Sequence, residues 1–412
     1  MTAETPRIPT PRFALALGRG WARCALGVAA CLFSLTACDG GGDPAARWGG
    51  SVDTLPSGQV VVHNPVDPIW RDGDAWRVVE ELRIGTTEGA GPAVFGNVVS
   101  LTVDPAGRIW ALDHQAQEIR VFDSEGEYVR TVGRRGGGPG EFQQAVHIAL
   151  APDGNVWVMD PTNARLSVFD TAGTYVEGRV ASGGFVMLPW RGGFDDDGRY
   201  YSLLPLAGGI MPVRHDMAFQ PLDTLEVPRD PVSRDAFELR DSDGRLRISA
   251  GVPWQGSLTW RISPAGTMWA MITDEYRLFE LDAGGDTLRT ITRAFTSPPV
   301  TAADREEARE QMKWFTDQGG RFDPSKLPAR KPPTRNFFFD DERHLWVERV
   351  AADAEDDRRV FDVFDPDGRF LGTVRLPFAL WMNQPVVREG RVYAVTRDDL
   401  DVPYVVRARI ER

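Results

Sequence analysis

Six polar side chains recur at one position of a repeated unit. Counting seven residues back from the glycine of a tight turn, or from its equivalent, gives Ser100, His147, Arg191, Thr259, Asn336 and Asn383. The residues that follow each of them are largely apolar or small. The chemistry of the set is mainly donation. Arginine keeps its charge at ordinary pH, and asparagine offers two N–H donors. A fixed guanidinium can hold a carboxylate or phosphate through two charge-assisted hydrogen bonds. If the units share an axis, these six residues ring one opening suited to a small anionic or polyhydroxylated ligand. A water-filled funnel is the plainer alternative. Asp113, His114, Asp160 and Asn163 close the second strand of two units and would rim the same opening. Aspartate is also a common turn residue at such places.

The elements that must position these groups are short strands. Leu101–Asp113 aligns with Ile148–Asp160: an alternating strand, a tight Pro-x-Gly or Pro-Asp-Gly turn, and a second strand ending in aspartate. A third strand follows each, Ile119–Asp123 and Leu166–Asp170, then another turn and a fourth strand. Four such strands joined by turns make one antiparallel sheet. The aromatic residue of the second strand returns as Trp110, Trp157, Tyr201, Trp269, Trp346 and Tyr393, at core positions between packed sheets. Six four-stranded units with turns at each corner predict an all-β, six-bladed β-propeller. The last unit supplies only three strands, near 385–388, 391–397 and 403–410. The segment Trp76–Gly85 matches a fourth strand and would close the ring, removing exposed edges.

The run Gly133–Phe142, followed by Pro152–Asp160 and Asn163–Asp170, resembles an NHL repeat. The chain from about residue 76 to its last residue is similar to bacterial six-bladed β-propeller lipoproteins with NHL-like repeats. The resemblance implies a fold and not a function, because propellers host binding and enzymatic roles alike. Six-bladed lactonases hold a divalent cation with carboxylate and asparagine ligands. Here the ring has no carboxylate, and Arg191 would repel a cation. Amidating lyases of the NHL type need several histidines for zinc. Of His63, His114, His147, His215 and His344, only His114 and His147 fall on the relevant face. No Gly-x-Ser-x-Gly elbow, Walker loop or His-Glu-x-x-His occurs. We therefore expect no metal and no cofactor. A ligand- or protein-binding module is the leading reading, and a channel-based hydrolase or lyase the alternative.

Two insertions break the period. The stretch between Leu204 and Trp254 reads as a loop. Thr301–Asp304 reads as a capping box opening one short helix over Arg305–Phe315, with Ala308, Met312 and Phe315 on one face. That helix would be laid on the propeller as a surface clip or as a moving lid. Arg321, Lys326, Arg330, Lys331 and Arg335 form a basic stretch that could attract an acidic ligand or partner.

The amino-terminal region reads as an address. A basic segment precedes the apolar run Cys24–Ala37, which is too short to span a bilayer comfortably. Leu35-Thr36-Ala37-Cys38 resembles the lipobox of bacterial lipoproteins, in which the cysteine is lipidated. Residues 1–37 are therefore expected as signal peptide, 38–72 as lipidated cysteine, flexible tether and lead-in, and 73–412 as propeller. The expected location is the bacterial cell envelope, with the membrane as a partner through Cys38 and the chain a monomer. All three cysteines lie at or before Cys38, so the propeller has no disulfide. A net charge of −12 argues against nucleic acid as a partner.

Overall fold

The computed structural model describes residues 47–71, 73–180, 193–206, 209–230, 232, 234–350, 358–381 and 385–412. Their strands form seven sheets, six of them around a central cavity. The first blade is Val98–Val103, Ile109–Asp113, Glu118–Phe122 and Tyr128–Val132, innermost strand first. The second is His147–Leu150, Val156–Asp160, Arg165–Phe169 and Tyr175–Val180. The third has Tyr200–Leu206, Gly209–His215 and Pro221–Thr224, with Phe194 bridging to Tyr200 on the inner side. The fourth is Leu258–Ile262, Met268–Ile272, Arg277–Leu281 and Thr287–Arg293. The fifth is Thr334–Phe339, Leu345–Arg349, Arg358–Phe364 and Phe370–Ala379. The sixth joins Val386–Arg388, Arg391–Arg397 and Pro403–Glu411 to Arg77–Ile84. That last pairing is antiparallel, Val405 opposite Ile84 and Glu411 opposite Arg77, and it closes the ring as the three-stranded final unit requires.

Each neighbouring pair of blades shares an apolar cluster, from blades one and two around Trp110 and Phe142 to blades six and one around Ile109 and Tyr393. All six second-strand aromatics are buried. In three of them the polar atom follows one rule. The Asp104 carboxylate accepts from Trp110 Nε1 at 3.0 Å, Asp340 from Trp346 Nε1 at 3.0 Å, and Asp195 from the Tyr201 hydroxyl at 2.7 Å. The other oxygen of each aspartate holds the N–H groups of the turn that follows. One buried carboxylate thus fixes both turn and ring. The second blade has Ala151 at this position, and Arg179 instead stacks over the Trp157 ring at 4.5 Å.

The stretch 38–72, expected as tether and lead-in, is ordered where it is described. Val60–Asn64 adds in parallel to Thr287–Arg293 of the fourth blade, and Ser51–Thr54 folds back on it. The chain then runs along the fifth blade, with Trp70 N–H donating to Leu371 O at 2.8 Å. A Cβ on Gly372 would lie 2.2 Å from the Trp70 ring, so only glycine admits this approach. The segment continues into Arg77–Ile84 of the sixth blade and so straps three blades. The correction has a simple cause: Val62 and Ile69, 1% and 2% exposed, are apolar side chains that a free tether would leave in water.

The loop expected between Leu204 and Trp254 is also corrected. It contains two strands of the third blade and a separate hairpin, Ala236–Arg240 with Leu246–Gly251. The helix starts where its capping box requires, with Thr301 and Asp304 bonded reciprocally, and spans Ala302–Gln311 before a second helix, Lys313–Asp317. Ala308, Met312 and Phe315 pack against Phe237, Ala250 and Val252 of the hairpin. The two insertions therefore form one lobe. Lys331 pins it through a 2.6 Å ion pair to Asp304, both 2% exposed.

Candidate functional site

A cavity of about 810 Å³ lies between the inner strands. Ser100, His147, Thr259 and Asn336 of the polar ring line it. Arg191 and Asn383 lie outside the described residues. The Ser100 hydroxyl is 3.2 Å from His147 Nδ1 and accepts the Ile148 N–H at 3.2 Å. Burial pushes the His147 imidazole down to about 3, so it is neutral at pH 7. A base that weak does little to activate a serine, and the serine oxygen is already engaged.

The expected rim does not line the cavity. Asp113 and Asp160 are fully buried. The Asp113 carboxylate accepts the N–H groups of Gly96, Asn97, Gln115 and Ala116, and Asp160 those of Gln143, Gln144 and Asn163. Each aspartate clamps the loop that enters its own blade onto the end of its second strand. His114 Nδ1 contacts Ala145 O at 2.9 Å, and the Asn163 amide donates to Asp160 and Gly136 O. These four residues build loops, because buried backbone donors need acceptors.

The basic stretch also separates. Lys331 is buried in the lobe, Lys326 donates to Ala236 O, and Arg330 to Ser297 O. Only Arg335 of that stretch reaches the cavity wall.

The charged groups of the cavity come mostly from residues outside the ring. Arg261, Arg335, Arg359 and Glu348 all line it. Glu348 is almost fully buried. Its Oε2 accepts from Arg359 Nη1 at 3.2 Å, and its Oε1 lies 3.9 Å from Arg335 Nη1. Arg261 donates to Asn336 Oδ1 at 2.8 Å and to the Phe337 carbonyl. Among the described residues, three guanidinium groups and one carboxylate therefore line the cavity. Trp381 stands at the same wall, half exposed. Arg335 and Asn336 are successive residues that both line the cavity, at a point where pairing slips between Thr334 and Asn336. The arginine itself was visible in the sequence; its direction was not. Among the described residues, no group of three or more histidine, cysteine, aspartate or glutamate side chains is placed to hold a metal ion.

Six antiparallel sheets joined by a shared last blade, with their inner strands around one cavity, make the chain a six-bladed β-propeller. A family model described as a 6-bladed beta-propeller (DUF5128) matches residues 95–180, the first two blades. No curated protein is significantly similar in sequence. Among solved structures, the chain is similar to an exported protein of Bacteroides fragilis at 11% identity and TM-score 0.48, over 85% of this chain and 100% of that one. It is similar to virginiamycin B lyase of Staphylococcus aureus at 9% identity and TM-score 0.40, over 81% and 99%. A gluconolactonase of Xanthomonas campestris matches at 11% identity and TM-score 0.40, over 77% and 88%.

Proposed function

We propose that the propeller is a lipid-anchored binding module of the bacterial cell envelope whose central cavity takes a small anionic ligand. One observation carries the reading: among the described residues, three guanidinium groups and a single carboxylate line one cavity, in a chain of net charge −12. A cavity of about 810 Å³ falls in the ordinary small-molecule range of about 300–1,000 Å³, which favours a small ligand over a protein partner. Ser100, Thr259 and Asn336 add neutral hydrogen-bonding groups around the cations. The envelope location rests on the sequence Leu35–Cys38 and its apolar lead.

Calorimetric titration tests the binding reading. The panel is inorganic phosphate, sugar acids, acidic peptides, neutral sugars, calcium and zinc. At least one small anion should bind, more weakly at high salt. Arg335→Ala should cost about 1.5–3 kcal/mol, on the order of ten- to a hundredfold in affinity, with the fold intact. Tight calcium or zinc binding with no anion binding would refute the reading and favour a channel-based hydrolase or lyase.

A further inference from the structure

We infer that the ligand is an acidic sugar, with its ring against Trp381 and its carboxylate on Arg335. This rests on the anion-binding reading above and narrows it. Three features converge. The first is Trp381, which is 51% exposed although it borders a cavity. Its main-chain N–H donates to Val395 O at 2.8 Å. One side of its indole is covered by the Arg397 guanidinium, 3.5 Å from the ring centroid. Arg397 is itself held by Asp401 at 2.5 Å and Asn97 at 3.0 Å. The indole is thus braced from beneath and offers open surface above. A guanidinium already on the ring opposes a second cation, so the open side suits an uncharged ring.

The second feature is proximity. Leu380 O, one residue before the platform, accepts from Arg359 Nη2 at 2.9 Å. Arg359 in turn holds Glu348, and Glu348 neighbours Arg335. Platform and charge are therefore links of one chain of contacts. The third feature is the difference between the two arginines. Arg359 is 18% exposed and makes two hydrogen bonds to Glu348 and Leu380. Arg335 is 55% exposed, and its 3.9 Å separation from Glu348 is beyond hydrogen-bond range. An incoming carboxylate can take Arg335 without dislodging Arg359.

Glu348 then sets the class. As an ionised acceptor it repels a second carboxylate close by and binds donors. A ligand that brings one acid to Arg335 and presents a hydroxyl from the same ring towards Glu348 fits this wall. Simple dicarboxylates lack the ring and hydroxyls, and aromatic acids without ring hydroxyls lack the donors. A uronic acid has all three.

The test is calorimetry on the full chain with a galacturonic acid disaccharide, its methyl ester, the corresponding neutral disaccharide, succinate and an acidic dipeptide. The uronate should bind at least tenfold more tightly than its ester and than succinate. Arg335→Ala should bring acid and ester to equal affinity. Trp381→Ala should weaken uronate at least tenfold and leave succinate unchanged, and Trp381→Phe should recover part of the loss. Succinate or the dipeptide binding as tightly as uronate, with no effect of Trp381→Ala, overturns the sugar assignment and leaves the anion reading standing. No binding of any anion overturns both.

Discussion

Asn64→Ala removes a single side chain that couples the amino-terminal strap to two blades. Asn64 is 4% exposed. Its Oδ1 accepts the Phe370 N–H at 2.7 Å and Trp48 Nε1 at 3.0 Å. Its Nδ2 donates to Gly368 O at 2.9 Å and to Thr292 O at 3.2 Å. Thr292 belongs to the fourth blade, and Gly368 and Phe370 to the fifth. After truncation the Phe370 N–H and Gly368 carbonyl lose buried partners, at about 1–3 kcal/mol each. Trp48 is only partly buried and can turn to water. The expected loss is therefore about 2–6 kcal/mol. At roughly 2 °C per kcal/mol, the low end for domains somewhat smaller than this one, Tm should fall by about 4–12 °C. Scanning calorimetry at neutral pH measures it. Asn64→Asp should be worse at pH 7 than at pH 4.5. The new carboxylate would face two carbonyl oxygens and keep its proton longer in the folded state, so stability falls as pH rises. An Asn64→Ala protein melting within a degree of wild type would refute the strap as a stabilising element.

Asp362→Ala should cost about 3–5 kcal/mol, because it strands a buried charge. Fully buried Asp362 accepts from Tyr276 at 2.5 Å and Arg293 at 2.9 Å, and Arg293 is itself 9% exposed; urea unfolding should show the loss, whereas Arg134→Ala, at a side chain 79% exposed, should change stability little. His147, held by burial down to about 3, contributes stability that is whole above its unfolded value near 6.5 and is lost as pH falls towards 3. His147→Gln should therefore flatten the acid side of the stability profile, by at most about 2–3 kcal/mol at pH 4.5; parallel denaturation curves at pH 7 and 4.5 for both proteins would remove this group from the account. Cys38→Ala should abolish lipid attachment, read by intact mass and by partition into detergent; unchanged lipidation would end the anchor reading.

Much of the fold was legible because its signals are local. The turns after Asp104, Asp195 and Asp340 use a carboxylate that binds both the turn and the following aromatic, so composition and spacing repeat together. Ring closure followed from counting strands in the last unit. The strap was missed although its hairpin carries a signal. Pro56-Ser57-Gly58 turns the chain between Ser51–Thr54 and the alternating Val60–Asn64. What hid it is that its partners lie more than 200 residues away, on the fourth and fifth blades. The hairpin of the first insertion was obscured in the same way: its apolar side is satisfied by a helix some 60 residues later, and not by its neighbours in sequence.

The site was less legible, for a different reason. Alternation along an ideal strand assigns one inward side chain for every two residues, and that rule selects Ser100 and Asn336. The inner strands of blades one and five do not keep it. Pairing slips between Val98 and Ser100 and between Thr334 and Asn336. In the fifth blade Arg335 and Asn336 both line the cavity, beside Glu348 of the second strand. The fourth blade, whose pairing is unbroken, also lines it with successive residues, Leu258 and Thr259 and then Arg261 and Ile262, so alternation alone does not decide which side chains reach this cavity. The loop aspartates illustrate the converse: Asp113 and Asp160 occupy positions where regular geometry points a charge at the mouth, yet incoming backbone N–H groups take their oxygens. Charge in this propeller is available to a ligand only where the backbone does not already consume it. That condition is met most clearly at Arg335, the more exposed of the two guanidinium groups beside Glu348 and the more distant from it.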